Sequence, residues 1–302
     1  MGLTWFRLLG KLHMRAWLNW TSTLPAGAGE RRLIVPILGS LGGEVLGEMS
    51  GTSWKPRFFQ IVRRLCGDAI WLDVGANLGQ TLLQCARAGP LPQAYVAFEP
   101  NPLCAAYLQR LVSANHWGAV QVFPCALAAR SECRVLELAR EDDASASMVR
   151  SLRVGRQIHM RKPIACFRLD ELHSQQSIAL AHGFFMKIDV EGAEAEVLAG
   201  AEHTVATLRP LIQCEVLWAH SDASMTLMRA RNAELVQLLH RVDYALFRLR
   251  LDASHGQLLG LEPVHDLPDG LYARGRNSHQ CDYLFAPRER VGEVVIEFSR
   301  PG

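Results

Sequence analysis

The sequence lacks the cysteine spacing of a disulfide framework or a zinc site. Its eight cysteines never form a C-x-x-C pair, and most lie in apolar runs such as QVFPC and LIQC. A reduced thiol in such a run packs as a small hydrophobic side chain. The pattern predicts a reduced, cytoplasmic protein, and it gives no support to a metal centre or a secreted scaffold.

Long apolar runs and an excess of one charge are also missing. No run reaches the roughly 18 residues that a helix needs to cross a bilayer, and the N-terminus has no signal-peptide pattern. The 32 basic and 30 acidic residues leave a net charge of +2, which gives no reason to expect a nucleic-acid partner. With 49% hydrophobic and 21% charged residues, the composition is typical of a globular enzyme.

Residues 1–66 precede the first strong strand signal and are predicted to form a helical extension, with a single catalytic domain over 67–302. Between Thr4 and Asn19, basic and polar residues recur at helical spacing, and aromatic side chains occupy the other faces. This predicts an amphipathic helix. We favour a helix that packs its aromatic face on the domain; the alternative is peripheral docking of residues 1–20 on a membrane.

Beyond residue 66, short apolar runs alternate with helical patterns, which predicts a doubly wound α/β fold with a mostly parallel sheet. The first five runs show little polar alternation, as expected for strands covered on both faces. The predicted strands are Ile70–Val74, Ala94–Phe98, Val120–Cys125, Phe184–Ile188, Leu211–Val216, Tyr244–Leu249 and Asp282–Phe285. The predicted helices are Gln80–Ala88, Pro102–Asn115, Ala193–Leu208 and Ser224–His240.

Two segments interrupt this alternation. An inserted strand pair, Arg134–Leu138 and Ile164–Leu169, is predicted around a loop. No acid occurs from Ala144 to Leu169, whereas the same segment holds Arg150, Arg153, Arg156, Arg161, Lys162 and Arg168. The cationic loop is either a lid for a phosphate or carboxylate on an acceptor or, as we favour, a solvated loop. Residues 252–280 are predicted to be loop.

The stretch WLDVGANLGQ begins as a buried strand and ends in a helix. Gly75 and Gly79 flank a tight turn that lets a ligand approach backbone N–H groups and the positive end of the helix. Asp73 ends the strand and could bind an ammonium group or fix the turn. Asn77 tolerates left-handed backbone angles. These four residues predict a cofactor site.

A second feature, Glu99 in YVAFEPNP, specifies the kind of cofactor. A carboxylate at the end of the second strand can accept hydrogen bonds from both ribose hydroxyls, as in dinucleotide-binding units. A dinucleotide fingerprint has G-x-G-x-x-G, but here Asn77 and Gln80 replace the second and third glycines. A cofactor without a pyrophosphate, such as S-adenosylmethionine, is therefore favoured.

The segments LDVGANLGQT, AFEPNP, CALA and MKIDVEGAEAEVLAGA, in this order, resemble the FkbM family of methyltransferases. The resemblance runs from about Glu48 to Phe285. It implies a class I methyltransferase fold, with seven strands of which the last is antiparallel, and O-methylation of a sugar, glycolipid or polyketide-type product. It also implies roles for seven residues. Asp73, Gly75, Asn77 and Gly79 would frame the amino-acid end of the cofactor, Glu99 would hold its ribose, and Asn101 and Ala126 would lie near its adenine.

The third motif, FFMKIDVEGAE, places acids at the carboxyl end of the fourth strand, where ligands of open α/β sheets gather. A hydroxyl acceptor must lose a proton, so a nearby carboxylate or histidine is needed. Asp189 is the first candidate as general base or acceptor anchor. Glu191, Glu215 and His220 follow, although Glu191 and Glu194 could instead cap the next helix. Asp189 and Glu191 could bind Mg²⁺, but two carboxylates at this spacing are insufficient to predict a metal site.

Three functions remain open from the sequence. The leading one is methylation of a hydroxyl on a small molecule, glycan or glycolipid. An NAD(P)-linked oxidoreductase is disfavoured by Asn77 and by the absence of a Tyr-x-x-x-Lys pair. A non-catalytic binding module is disfavoured because all five motif residues are present: Asp73, Gly75, Gly79, Glu99 and Asp189.

Overall fold

The structure is a computed structural model. It describes residues 19–25, 32–39, 41–49, 51, 53–141, 143, 146–149, 157–252, 256–273 and 280–300. The strands are β1 Asn19–Pro25, β2 Arg32–Leu38, β3 Trp71–Val74, β4 Tyr95–Phe98, β5 Val120–Phe123, β6 Ala126–Leu127, β7 Glu132–Leu138, β8 Met160–Phe167, β9 Phe185–Ile188, β10 Leu211–Glu215, β11 Tyr244–Leu251, β12 Leu258–Val264 and β13 Asp282–Pro287. The helices are α1 Gly43–Met49, α2 Lys55–Cys66, α3 Gln80–Ala88, α4 Pro102–Ala114, α5 Leu169–Ser174, α6 Glu194–Ala199, α7 Glu202–Leu208, α8 Asp222–Arg241 and α9 Val291–Ser299, with a 3-10 turn at Arg288–Arg290.

Eight strands form the central sheet, in the order β12-β11-β13-β10-β9-β3-β4-β5. The strands from β5 to β10 in this order are mutually parallel. Strand β13 runs antiparallel to both β10 and β11, as the family resemblance implies. The order reverses between β3 and β9, so the crevice at their carboxyl ends is where a doubly wound fold binds its ligand.

The predicted α/β class is confirmed, but the count of seven strands is wrong. The eighth strand, β12, pairs antiparallel with β11 inside the segment that was expected to be loop. Its residues are mostly half-buried or exposed. An edge strand of this kind has no continuous apolar run, because only part of it is covered.

Both faces of the central sheet are covered by core. Trp71 and Phe185 belong to one cluster, whereas Leu72 and Met186 belong to the other. Neighbouring residues of one strand point to opposite faces, so each parallel strand contributes to two cores. Because both faces are buried, these strands have continuous apolar sequences. Packing on both faces also holds the strand ends in place.

The described part of residues 1–66 is not purely helical, which differs from the predicted extension. Strands β1 and β2 form an antiparallel hairpin, and buried residues of β2 lie in the same core cluster as Trp71. The Asn115 side chain bonds both the N–H and the carbonyl of Ile34, at 2.8 and 2.7 Å. The pairing along the hairpin is local in sequence, whereas the anchor at Asn115 is long-range. The boundary at residue 66 stays a prediction.

The expected amphipathic helix between Thr4 and Asn19 lies outside the described residues except for Asn19, which begins β1. Within the described chain, the longest helices are too short or too polar to span a bilayer.

The inserted strand pair is confirmed as β7 and β8, which pair antiparallel, and β6 adds a third strand parallel to β8. This small sheet stands beside the carboxyl ends of the central strands. The predicted helix Ala193–Leu208 is divided into α6 and α7. Gly200 lies at the break, where a Cβ atom would be 2.0 Å from the carbonyl oxygen of Ala128. The close approach of the insertion therefore requires glycine there.

Candidate active site

The turn after β3 brings the backbone of two strands unusually close. Gly75 has a φ of 81°, and a Cβ atom there would lie 1.8 Å from the carbonyl oxygen of Asp189. The N–H groups of Gly75 and Ala76 both donate to the carbonyl of Phe98, at 3.0 Å. Only glycine fits this position, because any side chain would collide with the end of β9.

Gly79 serves packing between helices. It begins α3 with a φ of 85°, and a Cβ atom would lie 2.7 Å from Leu108 and 2.8 Å from Leu111 of α4. Its absence of a side chain lets the two helices approach. The predicted role at the cofactor is thus indirect, since Gly79 does not line the cavity described below.

Glu99 is buried at the end of β4 and connects two loops. One carboxylate oxygen accepts a hydrogen bond from the N–H of Asn77 at 2.7 Å, and the other accepts from the N–H of Asn101 at 2.7 Å. Burial raises the pKa of Glu99 to about 7, although both backbone donors oppose the shift. Glu99 therefore holds the glycine turn against the loop that starts α4.

Asp73 and Lys187 form a buried ion pair beneath the turn. The Lys187 Nζ lies 3.1 Å from Asp73 Oδ1 and donates to the carbonyl oxygen of Gly75 at 2.9 Å. The hydroxyl of Tyr95 donates to the other Asp73 oxygen at 2.6 Å. Burial opposes the charge of Lys187, but Asp189 and Asp73 outweigh it and raise the lysine pKa.

Asp189 and Glu215 lie close together at the ends of β9 and β10. Two neighbouring carboxylates disfavour each other's ionisation. Burial opposes ionisation of Asp189, but Lys187, at 3.4 Å, and Lys55 lower its pKa. The charge of Asp189, followed by burial, raises the pKa of Glu215 well above its usual range. Glu215 therefore holds a proton more tightly than Asp189 does.

A cavity of about 290 Å³ opens at these strand ends. It brings together seven of the eleven residues predicted from the sequence: Gly75, Asn77, Glu99, Ala126, Asp189, Glu191 and Glu215. Residues that the sequence had not assigned to the site also line it, among them Lys55, Thr81, Met148 and Lys187. The glycine turn and the acid pair thus face one common space.

Four predicted residues do not line this cavity: Asp73, Gly79, Asn101 and His220. Asp73 lies behind the turn and supports it through Lys187. Asn101 caps α4, where its side chain accepts from the N–H of Leu103. The ring of His220 packs 5.5 Å from that of Tyr272.

The structure separates Glu194 from Glu191, the two acids for which the sequence left a helix-capping role open. The Glu194 side chain accepts from the N–H of Gly192 at 2.9 Å, so it holds the loop before α6. Burial raises its pKa to about 7. Glu191 lines the cavity instead and has a positive φ of 56°.

Of the cationic loop, Arg150, Arg153 and Arg156 lie outside the described residues. The described arginines are engaged away from the cavity. Arg161 pairs with Glu137, and Arg168 pairs with Asp170 and Glu171. No group of three or more His, Cys, Asp or Glu side chains in the described chain is arranged to hold a metal ion.

A model of the Methyltransferase FkbM domain family matches residues 73–246 of the chain, which include the glycine turn, Glu99 and the acid pair. The chain belongs to the FkbM methyltransferase family. The resemblance recognised in the sequence is thereby confirmed, and the cofactor is S-adenosylmethionine. No curated protein matches the chain.

Solved structures include distant relatives of this FkbM domain. Methyltransferase FkbM from Methylobacillus flagellatus KT is 18% identical with a TM-score of 0.41, over 72% of this chain and 43% of that one. An O-methyltransferase from Bacillus cereus, solved in complex with SAH, is 12% identical with a TM-score of 0.43, over 80% and 88%. The chain spans less than half the length of the Methylobacillus protein.

Proposed function

We propose that this FkbM domain transfers a methyl group from S-adenosylmethionine to a hydroxyl group of a sugar, glycolipid or polyketide-type acceptor. The observation that carries the proposal is the single cavity shared by Gly75, Asn77 and Glu99 on one side and by Asp189 and Glu215 on the other. The first three residues suit the cofactor. The acid pair suits an acceptor that must lose a proton.

Two features of the turn fit the cofactor. The space next to Gly75 has no room for a Cβ atom, so the backbone itself forms that wall. The side-chain oxygen of Asn77 is buried without a hydrogen-bond partner among the described residues. A buried acceptor in this state is costly, and the cofactor's ammonium group would satisfy it. Glu99 would accept from the ribose hydroxyls, and Ala126 would border the adenine.

Bound S-adenosylmethionine supplies an electrophilic methyl group, and the chain must align the acceptor with it. Lys187, at 3.4 Å, and Lys55 favour the ionised form of Asp189. This arrangement makes Asp189 a firm hydrogen-bond acceptor for the incoming hydroxyl, whereas its lowered pKa makes it a weak base. Of the two roles considered for Asp189, the acceptor anchor is the better supported.

The charge of the cavity wall favours a neutral acceptor. The lining acids are Glu99, Asp143, Asp189, Glu191 and Glu215, and the lining bases are Lys55 and Lys187. Glu99 and Glu215 contribute less negative charge because their pKa values are raised, but the other three acids still outnumber the two lysines among the described lining residues. This excess disfavours phosphate or carboxylate groups in a site of low dielectric constant. A sugar hydroxyl carries no such charge, so sugars without phosphate are the preferred class.

Calorimetric titration with S-adenosylhomocysteine, run beside NAD, tests the cofactor side. Glu99→Gln should weaken binding by about 1–3 kcal/mol, because a ribose hydrogen bond to a charged acceptor is lost. Glu202→Gln is the matched control, since Glu202 pairs with Arg241 on the surface and should bind as the wild type does. Binding of NAD alone would indicate an oxidoreductase. Folded protein that binds neither would indicate a non-catalytic module.

The acceptor is tested with S-adenosylmethionine labelled in its methyl group. The panel should pair each methyl glycoside with the corresponding sugar phosphate and include neutral glycolipids. We expect label in neutral acceptors only. Transfer restricted to the phosphates, or to amines, would contradict the proposed class while leaving the cofactor assignment intact.

A further inference from the structure

A second, much smaller cavity adjoins the proposed active site. Its volume is about 20 Å³, and Lys55, Lys187, Asp189 and Glu215 line both it and the large cavity. We call it the side chamber. A polar space of this size holds one water molecule, so the side chamber can connect the large cavity to groups that do not line it.

Asp282 is such a group, because it lines the side chamber but not the large cavity. It is the first residue of β13, and its direct cross-strand partner is Glu215. The side-chain amide of Gln213 donates to Asp282 Oδ1 at 3.0 Å. The strand pairing and this hydrogen bond hold the carboxylate at the chamber.

The three acids at the chamber differ in what each can do with a proton. The charge of Asp189, followed by burial, raises the pKa of Glu215 well above its usual range. Lys187 and Lys55 favour the ionised form of Asp189. Burial raises the pKa of Asp282 to about 6, against the opposing charge of Lys55. At neutral pH, Asp282 is therefore ionised, yet it is a stronger base than Asp189.

We propose that Asp282 receives the acceptor's proton through a water molecule in the side chamber. This inference rests on the proposed O-methyl transfer. The acceptor oxygen bonds to the methyl carbon as the carbon–sulfur bond breaks, and that bond's electron pair stays on sulfur. The hydroxyl proton passes to the chamber water, which gives one of its own protons to the Asp282 carboxylate. Asp189 accepts from the hydroxyl as the acceptor binds, and the hydroxyl proton then turns from Asp189 to the chamber water.

The test compares Asp282→Asn with Asp269→Asn. Asn keeps an oxygen that can accept from Gln213 but removes the basic group. Asp269 pairs with Arg229 on the surface and provides the matched control. Both variants should bind S-adenosylhomocysteine within about twofold of wild type. Methyl transfer to the neutral acceptor should fall on the order of 100-fold in Asp282→Asn only, and the rise of rate with pH through about 6 should disappear.

A second readout needs no acceptor. Carbon-13 NMR of chain labelled at the aspartate carboxyl should show a resonance that titrates near pH 6 and is missing from Asp282→Asn. Lys55→Met should raise its midpoint, because a nearby positive charge is removed.

The inference is overturned if no aspartate titrates in this range, or if Asp282→Asn transfers methyl groups at the wild-type rate with the wild-type pH profile. If the wild type binds the cofactor but methylates no panel member, the inference depends on the NMR titration. It is then overturned if no resonance that is missing from Asp282→Asn titrates near pH 6. Wild-type chain that does not bind S-adenosylhomocysteine would overturn the proposed function and, with it, this inference.

Discussion

Lys187 reaches from β9 to the adjacent strand and lies 3.1 Å from Asp73 Oδ1, with both side chains almost fully buried. The same ammonium group donates to the carbonyl oxygen of Gly75 at 2.9 Å and lies 3.4 Å from Asp189. One cation thus connects the cofactor turn with the acid proposed to orient the acceptor. Asp73 supports the site from behind the turn, whereas Lys187 also lines the cavity.

We expect Lys187→Met to lower the free energy of unfolding by about 3–5 kcal/mol, because the substitution leaves the Asp73 carboxylate buried without its counter-charge. The double variant Asp73→Asn/Lys187→Met should recover part of this loss, since it removes both charges. Urea unfolding followed by circular dichroism measures the effect.

The exposed pair Arg229 and Asp269 provides the comparison for that experiment. Its side chains are 55% and 62% exposed, and breaking such a pair typically costs no more than about 1 kcal/mol. If Lys187→Met cost as little as Arg229→Met, the buried pair would contribute nothing specific to the stability of the turn.

Much of the central sheet could be predicted from the sequence because its strands are buried on both faces. The predicted bounds of β3, β4 and β9 differ from the observed ones by one residue at the start. Strand β12 could not be predicted in this way, since a half-exposed edge strand with an internal glycine has no continuous apolar signal. The β1–β2 hairpin was missed, because its packing on α4 joins segments that are far apart in the sequence.

The candidate site likewise contains some residues that a short sequence motif predicts and others that only the fold brings together. Gly75, Asn77 and Glu99 lie in short motifs that predict a common site, and they line one cavity. Lys55 and Asp282 come from opposite ends of the domain and meet only in the folded chain. His220, although close in sequence to Glu215, packs against Tyr272 instead. The position of His220 after a strand end therefore did not predict the direction of its side chain.

We expect Gly75→Ala to abolish binding of S-adenosylhomocysteine and to destabilise the fold by about 3 kcal/mol. The new Cβ atom would collide with the carbonyl of Asp189, and the positive φ adds backbone strain. Gly118→Ala is the matched control, because nothing lies within 4 Å of its Cβ position. Thermal unfolding and calorimetry test both variants, and normal binding by Gly75→Ala would refute the close backbone approach.

Asp170 provides a test that separates stability from function. Its carboxylate accepts from the N–H and the hydroxyl of Thr204, both at 2.8 Å, so it secures α7. Asp170→Ala leaves these buried groups unsatisfied and should lower the free energy of unfolding by about 1–3 kcal/mol. Cofactor affinity at low temperature should stay unchanged, as measured by calorimetry. A large loss of affinity in folded protein would instead assign Asp170 a role in binding.

The raised pKa of Glu99 predicts how cofactor binding depends on pH. Burial raises it to about 7 in the folded chain, whereas an exposed glutamate titrates near 4.5. The folded state therefore holds an extra proton between these values, and the contribution of Glu99 to stability is lost as pH rises through about 7.

The ribose hydroxyls need the ionised carboxylate, so binding should show the opposite trend. Affinity for S-adenosylhomocysteine should increase between pH 6 and 8. Below the pKa of Glu99, it should fall by up to about tenfold for each unit by which the pH is lowered. Glu99→Gln should bind weakly at every pH, because its side chain does not titrate. Calorimetry at several pH values distinguishes the two. If the wild type and the Gln variant shared one pH profile, the titrating group would have to be another residue of the cavity, and Glu99 would not be the ribose anchor.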